Sequence, residues 1–328
     1  MKTVGLFFGG LSNEKEISII SAKNIAKNFD YKKYKLILIY WYKDGTFYQI
    51  KDIENIKIDK KDKILPENFH KIFDIAFPIT HGKYGEDGSL QGLFEILKIK
   101  YCGCRVLGSS LSMDKTMFKI LMLGQKISQV KFKMLDFSIS SIKKIQEFKK
   151  QIQKEFRLPI FIKPANSGSS VGITKVDKWN DLDEAIKEAN KHDGKILVEE
   201  GLKNPKEFEV AILGNDLLSV SSPGELKLIK DFYDYDDKYK KGETKQIIPA
   251  EISARAKKEI QELAEKVYRL SDCRGFARVD FFMHKNKIYL NEINTLPGFT
   301  DISMYPMLMK NTGLTYKELI NKIIELAY

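Results

Sequence analysis

Two strand-length runs near the C-terminus, residues 277–283 and 288–294, follow one another so closely that they can pair only as a hairpin. Alternate residues of a strand share a face. Arg278 and Asp280 therefore point one way, and Ala277, Val279, Phe281 and Met283 the other. On the second run Glu292 and Asn294 share a face with Ile288 and Leu290. Carboxylate and amide oxygens held against a core need a compensating cation. One Asp, one Glu and one Asn supply hard oxygen ligands, which suit Mg²⁺ better than a soft metal. A metal clamp beside an arginine points to phosphate chemistry. For Asp280 and Glu292 to meet across the hairpin, the connection should hold an odd number of residues, such as 285–287. A two-residue Lys285-Asn286 turn without a bulge would put them on opposite faces.

The chain has 328 residues, enough for two or three domains with a real core. Hydrophobic residues at 43% and charged ones at 30% describe a soluble globular protein. An excess of 55 basic over 44 acidic residues leaves a charge of +11. The lysines alternate with Glu and Ile, as in Lys187-Glu188 and Lys317-Glu318, which is the pattern of solvated helix faces. No aromatic-basic interleaving along a strand accompanies them. We therefore expect anionic small substrates, with no nucleic-acid partner. Cys102, Cys104 and Cys273 are too few and badly spaced for a zinc site or a disulfide framework. The apolar start is cut off by Gly9-Gly10 and the charged residues 14–16, too early for a signal peptide. No apolar stretch reaches transmembrane length, so a cytoplasmic protein without membrane attachment is expected.

Residues 3–8 form a buried-strand pattern followed by Gly9-Gly10 and a helix, for which Asn13 and Glu16 read as a capping box. Residues 36–41 and 75–80 are further strand-length runs. Alternating strand and helix over the first hundred residues argues a parallel, doubly wound sheet. Residues 158–163, 173–176 and 195–200 with a helix at 182–190 make a compact α+β unit. A third unit holds strands at 207–213 and 217–220, a helix at 254–270, the clamp strands and a terminal helix at 316–326. The proposed division is 1–103, 104–202 and 203–328.

Between two strands, Asn166-Ser167-Gly168-Ser169-Ser170-Val171-Gly172 has glycines that turn backbone N–H groups towards an anion, with Lys163 just before it. By itself it is equally a plain Ser/Gly hairpin loop. His81 ends a strand of the first unit at the usual ligand edge, although such a histidine is more often structural. Residues 231–239 pack aromatics, carboxylates and a lysine together. Their composition suits a lid that excludes water, and equally an ordered surface loop.

Taken in order, these segments resemble the D-alanine–D-alanine ligases of the ATP-grasp superfamily. The resemblance rests on residues 9–18, His81-Gly82 with 85–88, Ser112-Met113-Asp114-Lys115, Lys163-Pro164 with 168–172, 232–239, 275–280, 291–295 and Pro297-Gly298. It implies an ATP-grasp fold, mixing α/β and α+β, behind an N-terminal doubly wound (Rossmann-like) domain. It assigns Lys115, Lys163, Ser169 and Ser170 to the phosphates of ATP. Glu199, Glu200 and Leu202 go to adenine, and Glu207 to ribose. Asp280, Glu292 and Asn294 would ligate two Mg²⁺ ions, with Mn²⁺ as a substitute. Glu14 would receive the first D-alanine's ammonium group, with His81 nearby. Arg278 and the Gly298 amide would stabilise the oxyanion. Ser303 and Met304 would receive the second substrate's carboxylate. Ser169 and Tyr239 would link to Glu14 to hold the lid shut, with Lys238 also at the substrate. A tyrosine at 239 resembles the dipeptide-forming kind.

The expected reaction is ATP-dependent joining of two D-alanines through an acyl phosphate, for peptidoglycan and cell-wall biogenesis. The expected assembly is a homodimer through the N-terminal domain. The alternatives are ligation to D-serine or D-lactate, or a non-catalytic nucleotide-binding protein. The latter has no need of Lys163, Asp280, Glu292 and Asn294 together.

Overall fold

The computed structural model of the chain describes residues 1–227 and 245–328, arranged as three sheets with helices against them. The expected lid at 231–239, with Lys238 and Tyr239, lies outside the described residues.

The first sheet is entered by β1 (Lys2–Gly9), from which α1 (Lys15–Lys27) leads to β2 (Tyr34–Trp41). Then come β3 (Phe47–Ile50), β4 (Lys63–Ile64), β5 (Ile75–Pro78), α2 (Ser89–Ile96) and β6 (Lys100–Tyr101), in the strand order β4-β3-β2-β1-β5-β6. β2, β1, β5 and β6 pair in parallel, as a doubly wound sheet requires. β3 and β4 depart from that expectation and run antiparallel at one edge. The cause is the short link from β2 to β3. The Tyr42 N–H donates to the Thr46 carbonyl at 2.8 Å. A parallel return needs a crossover of about a dozen residues or more. The expected capping box is also absent: the N-cap of α1 is Glu14, one residue after Asn13, and no side chain caps it.

The second unit begins with α3 (Val106–Met113) and α4 (Lys115–Gly124). Its antiparallel sheet comprises β7 (Phe132–Asp136), β8 (Ile160–Pro164), β9 (Thr174–Val176) and β10 (Lys195–Glu200), in the order β7-β10-β8-β9. The helices α5 (Ile142–Glu155) and α6 (Leu182–Asn190) supply Phe148, Ile152, Ala185 and Ile186 to a core with Ile160, Ile162 and Ile196.

The third sheet contains β11 (Lys206–Gly214), β12 (Leu218–Val220), β13 (Gly224–Lys227), β14 (Lys245–Ile247), β15 (Phe276–His284) and β16 (Lys287–Asn294). Their order is β14-β13-β11-β15-β16, with β12 beside β11. One face is covered by α7 (Ala254–Leu270), whose Ile260, Ala264 and Val267 meet Val210, Ile212 and Val279. The terminal helices α8 (Met304–Asn311) and α9 (Tyr316–Glu325) place Tyr305, Leu308, Ile320 and Ile323 in one cluster with Leu6, Phe8, Ile25 and Phe77. The proposed division at 203 cuts no sheet, yet two hydrophobic clusters cross it.

The clamp hairpin turns in a way the alternation pattern did not anticipate. His284 lies opposite Lys287, so the turn is the two-residue Lys285-Asn286, both with left-handed backbone at φ +50° and +61°. This is the tight turn that matches strand twist. Phe281 then opposes Leu290, whereas Asp280 opposes Glu292. Asn291 is the extra residue, a β-bulge, and it reverses the faces beyond it. Ile288 and Leu290 consequently lie in the core under α7 with Ala277, Val279 and Phe281. They do not share a face with Glu292 and Asn294, contrary to the alternation. The expected odd connection is corrected as well: the bulge supplies the extra residue within the strand.

Candidate active site

A cavity of about 990 Å³ opens where the three units meet. It is lined by Glu14, His81, Lys115, Lys163, Ser169, Ser170, Glu199, Glu200, Leu202 and Glu207. Arg278, Glu292, Asn294, Gly298, Ser303 and Met304 complete the sequence-predicted set along its wall. Asp280 is not on the wall. It is 8% exposed and is held behind Arg278 and Asn294.

One wall carries lysines. Asp114 caps α4 by accepting from the N–H groups of Thr116 and Met117, which makes Lys115 the first helical residue. From there the Lys115 ammonium donates to the Ser167 carbonyl at 2.7 Å and lies 3.4 Å from Glu292. On β8, Lys163 pairs with Glu199 of β10 at 2.5 Å. The other Glu199 oxygen pairs with Lys119, one turn along α4 from Lys115, also at 2.5 Å. Burial works against the Glu199 carboxylate, but the two ammonium groups outweigh it and hold its pKa at about 2. The same carboxylate raises the Lys163 pKa against its own burial, whereas burial prevails at Lys119 and lowers it.

Carboxylates occupy the adjoining wall. Glu209 opposes Asp280 and Asp280 opposes Glu292, so three carboxylates stand in one cross-strand row on β11, β15 and β16. Like charges directly opposite one another are destabilising unless neutralised. Arg278 forks onto both oxygens of Asp280 at 2.7 Å and reaches Glu209 at 3.0 Å. Burial lowers the Arg278 pKa, and Asp280 with Glu209 more than reverses that. The Asn294 amide donates to Asp280 at 2.9 Å. Among the described residues no three His, Cys, Asp or Glu side chains converge as a metal cluster. The donor set is instead Asp280 and Glu292, opposite one another, with Asn294 two residues along β16 from Glu292; their hard oxygen atoms fit Mg²⁺.

Glu14 links the first and second units. Ser169 donates a short hydrogen bond to its carboxylate. Gly82 and Gly168 wall it in: a Cβ on either would lie 2.5 or 2.6 Å from the Glu14 carboxylate. This close approach, and not turn freedom, explains glycine at 168. The left-handed positions in that loop are Ser169 and Ser170, at φ +46° and +61°, together with Gly172 at +73°. Near Glu14 lies Glu86, whose pKa is pushed up to about 8 by burial and then by the Glu14 charge. Glu86 is therefore largely protonated at neutral pH, which lessens repulsion in the pocket.

The loop between β16 and α8 forms the remaining edge. His81 is 6% exposed, and both its ring nitrogens are engaged, Nδ1 with the Leu296 carbonyl at 3.0 Å and Nε2 with Ser21 at 3.1 Å. Burial lowers its pKa to about 4. Ser303 is the N-cap residue of α8. Its hydroxyl accepts the Thr300 N–H at 2.9 Å and contacts the Thr300 hydroxyl at 2.8 Å. Sequence inspection had not singled out Lys119, Glu209 or Ser21, nor given Glu86 a role. Two had local cues: Glu209 is two residues from Glu207 on a strand, and Lys119 is one helical turn from Lys115.

Comparison with known proteins covers almost the whole chain. Residues 3–104 match the N-terminus of D-Ala–D-Ala ligases and residues 121–325 match their C-terminus. The D-alanine–D-alanine ligase of Caldicellulosiruptor bescii is 44% identical over 346 residues, spanning 99% of this chain and 94% of that protein. The structure is similar to the VanG D-Ala:D-Ser ligase from Enterococcus faecalis, with a TM-score of 0.88, 36% identity and 99% coverage of each chain. It is also similar to the D-alanine–D-alanine ligase of Coxiella burnetii, with a TM-score of 0.82, 32% identity and coverage of 100% and 95%.

Proposed function

The chain belongs to the D-alanine–D-alanine ligase family and has its ATP-grasp fold, and on that premise we propose that it joins two D-alanines at the expense of ATP for cell-wall precursor synthesis. The observation that carries this is that Glu14, Lys115, Lys163, Arg278 and Gly298 all line one cavity.

In this assignment Lys115 and Lys163 hold the phosphates, while Glu199, Glu200 and Leu202 face adenine and Glu207 faces ribose. Ser169 and Ser170 contribute hydroxyls from the loop above. Glu14 receives the first D-alanine's ammonium group, and its bond with Ser169 draws the loop over it. The substrate carboxylate oxygen attacks the γ-phosphorus, the bond to ADP breaks, and an acyl phosphate forms. Asp280, Glu292 and Asn294 would hold Mg²⁺, which supplies charge neutralisation at the transferred phosphoryl group. The neutral amine of the second D-alanine then attacks the acyl carbon, and its surplus proton passes to solvent. The Gly298 N–H and Arg278 face the oxyanion that develops. Inorganic phosphate leaves as the peptide carbonyl re-forms. Ser303 and Met304 orient the second substrate's carboxylate end.

A coupled phosphate-release assay tests the substrate assignment. D-alanine with Mg²⁺ should drive turnover, and L-alanine should not. Equal or faster turnover with D-serine or D-lactate as acceptor would overturn the dipeptide assignment. The proposal includes a cytoplasmic homodimer, supported by family likeness; among the described residues no helix is long and apolar enough to cross a membrane. Sedimentation velocity showing only monomer would refute the dimer.

A further inference from the structure

The loop carrying Gly298 is held at both ends by His81, Ser21, Asn24 and Tyr316, and two of these, Ser21 and Asn24, sit on α1. The Leu296 carbonyl can only accept, so His81 Nδ1 carries the proton in that 3.0 Å bond. Nε2 is then a lone-pair acceptor and takes the Ser21 O–H at 3.1 Å. The Ser21 oxygen in turn accepts the Phe299 N–H at 3.2 Å. Three residues along α1 from Ser21, the Asn24 amide donates to the Phe299 carbonyl at 2.9 Å. The Tyr316 hydroxyl donates to the same carbonyl at 2.6 Å. Ser21 and Asn24 are 0% and 6% exposed, so these bonds do not compete with bulk water. The Phe299 ring is fully buried, with Phe276 and Tyr305 centroids 5.8 and 5.5 Å away. Pro297 and Gly298 are thus the only residues between two fixed points.

The same helix is anchored to the first sheet. Ser18 donates to the Ile79 carbonyl at 2.7 Å and accepts the Gly9 N–H at 2.9 Å. Glu14 is its N-cap. One rigid element therefore carries the Glu14 carboxylate at its start and fixes the Gly298 loop two to three turns later.

We infer that Ser21 and Asn24 are positioning residues: through His81 and the Phe299 peptide groups, α1 sets the Gly298 amide at a fixed place relative to Glu14. This rests on the assignment of Gly298 as an oxyanion donor. Displacement of a preorganised donor by a fraction of an ångström lowers the chemical step more than nucleotide binding.

The test is Ser21→Ala in the full-length enzyme, with kcat, the KM for ATP and amide hydrogen exchange over residues 296–299 measured together. Exchange should accelerate, kcat should fall about tenfold or more, and the KM for ATP should stay within about twofold. Tyr316→Phe removes one donor to the Phe299 carbonyl without opening a cavity. It should move all three readouts the same way by less, and it decides the matter if Ser21→Ala does not fold. Unchanged exchange in a folded variant would overturn the tether and leave the Gly298 assignment standing. Faster exchange with unchanged kcat would overturn the positioning role and the Gly298 assignment with it.

Discussion

Two buried charge clusters adjoin one another at the cavity, and their stoichiometries are opposite. On β10 one carboxylate, Glu199, is shared between the ammonium groups of Lys119 and Lys163. Across β11, β15 and β16 three carboxylates stand in one row beside Arg278 and Lys115. The lysine cluster is suited to an incoming anion, because Lys163 can turn to a phosphate while Lys119 still neutralises Glu199. The carboxylate row is suited to an incoming cation, because Asp280 and Glu292 already lie side by side. One cleft with a cation-rich wall and an anion-rich wall is what a metal–nucleotide pair requires.

The largest effect is expected from the carboxylates of the second wall. Asp280→Asn combined with Glu292→Gln removes both acidic oxygen donors from that wall while keeping the strand register. Turnover should drop below detection, and Mn²⁺ binding followed by electron paramagnetic resonance should be lost. Glu292→Gln keeps the register, so its melting temperature should be unchanged within about 2 °C while turnover falls on the order of 10²-fold or more. Wild-type turnover in the double variant would dissolve the contrast between the walls.

A smaller effect separates the clusters by stability. Lys119→Met leaves a buried carboxylate with one cation where it had two. Urea unfolding should report a loss of about 2–4 kcal/mol. Glu209→Gln leaves Arg278 its fork on Asp280 and should cost about 1 kcal/mol. Equal costs would mean that the two clusters are not differently compensated.

The smallest effects are in the pH dependence. Glu199 has a folded pKa near 2, below the ordinary 4.5, so its contribution is present above about pH 4.5 and is lost as pH falls towards 2. Glu86 is shifted the other way, to about 8, so its contribution is present below about pH 4.5 and is lost as pH rises through 8. Relative to wild type, Glu199→Gln should be most destabilised near neutrality and least in acid. Glu86→Gln should gain on wild type as pH climbs from 6 to 9. Parallel pH curves for wild type and Glu86→Gln would remove the raised carboxyl from the account.

Much of the site was legible because its chemistry is carried by residue type in short motifs. Lys163 before the loop, the Asp280, Glu292 and Asn294 set, and Glu14 after Gly9-Gly10 needed no coordinates to be noticed. Helices such as 182–190 and 254–270 were equally plain from their apolar period. The failures have a common cause. The Asn13 box, the odd hairpin connection and the turn role of Gly168 were all local rules applied where a distant group decides. Glu14 is drawn to Ser169, 155 residues away, and it occupies the N-cap without capping. Gly168 is small because that carboxylate presses on it.

By itself the sequence determined which side chains are present, the order of strands and helices, and the family to which the chain belongs. The tertiary structure alone decided which face each clamp residue takes, which cation each carboxylate holds, and what fixes the Gly298 loop. Alternation and helical period repeat within a few residues, so they are written locally. A bulge at Asn291, a lysine shared across α4, β8 and β10, and a helix reaching from Glu14 to Phe299 exist only once distant segments have packed.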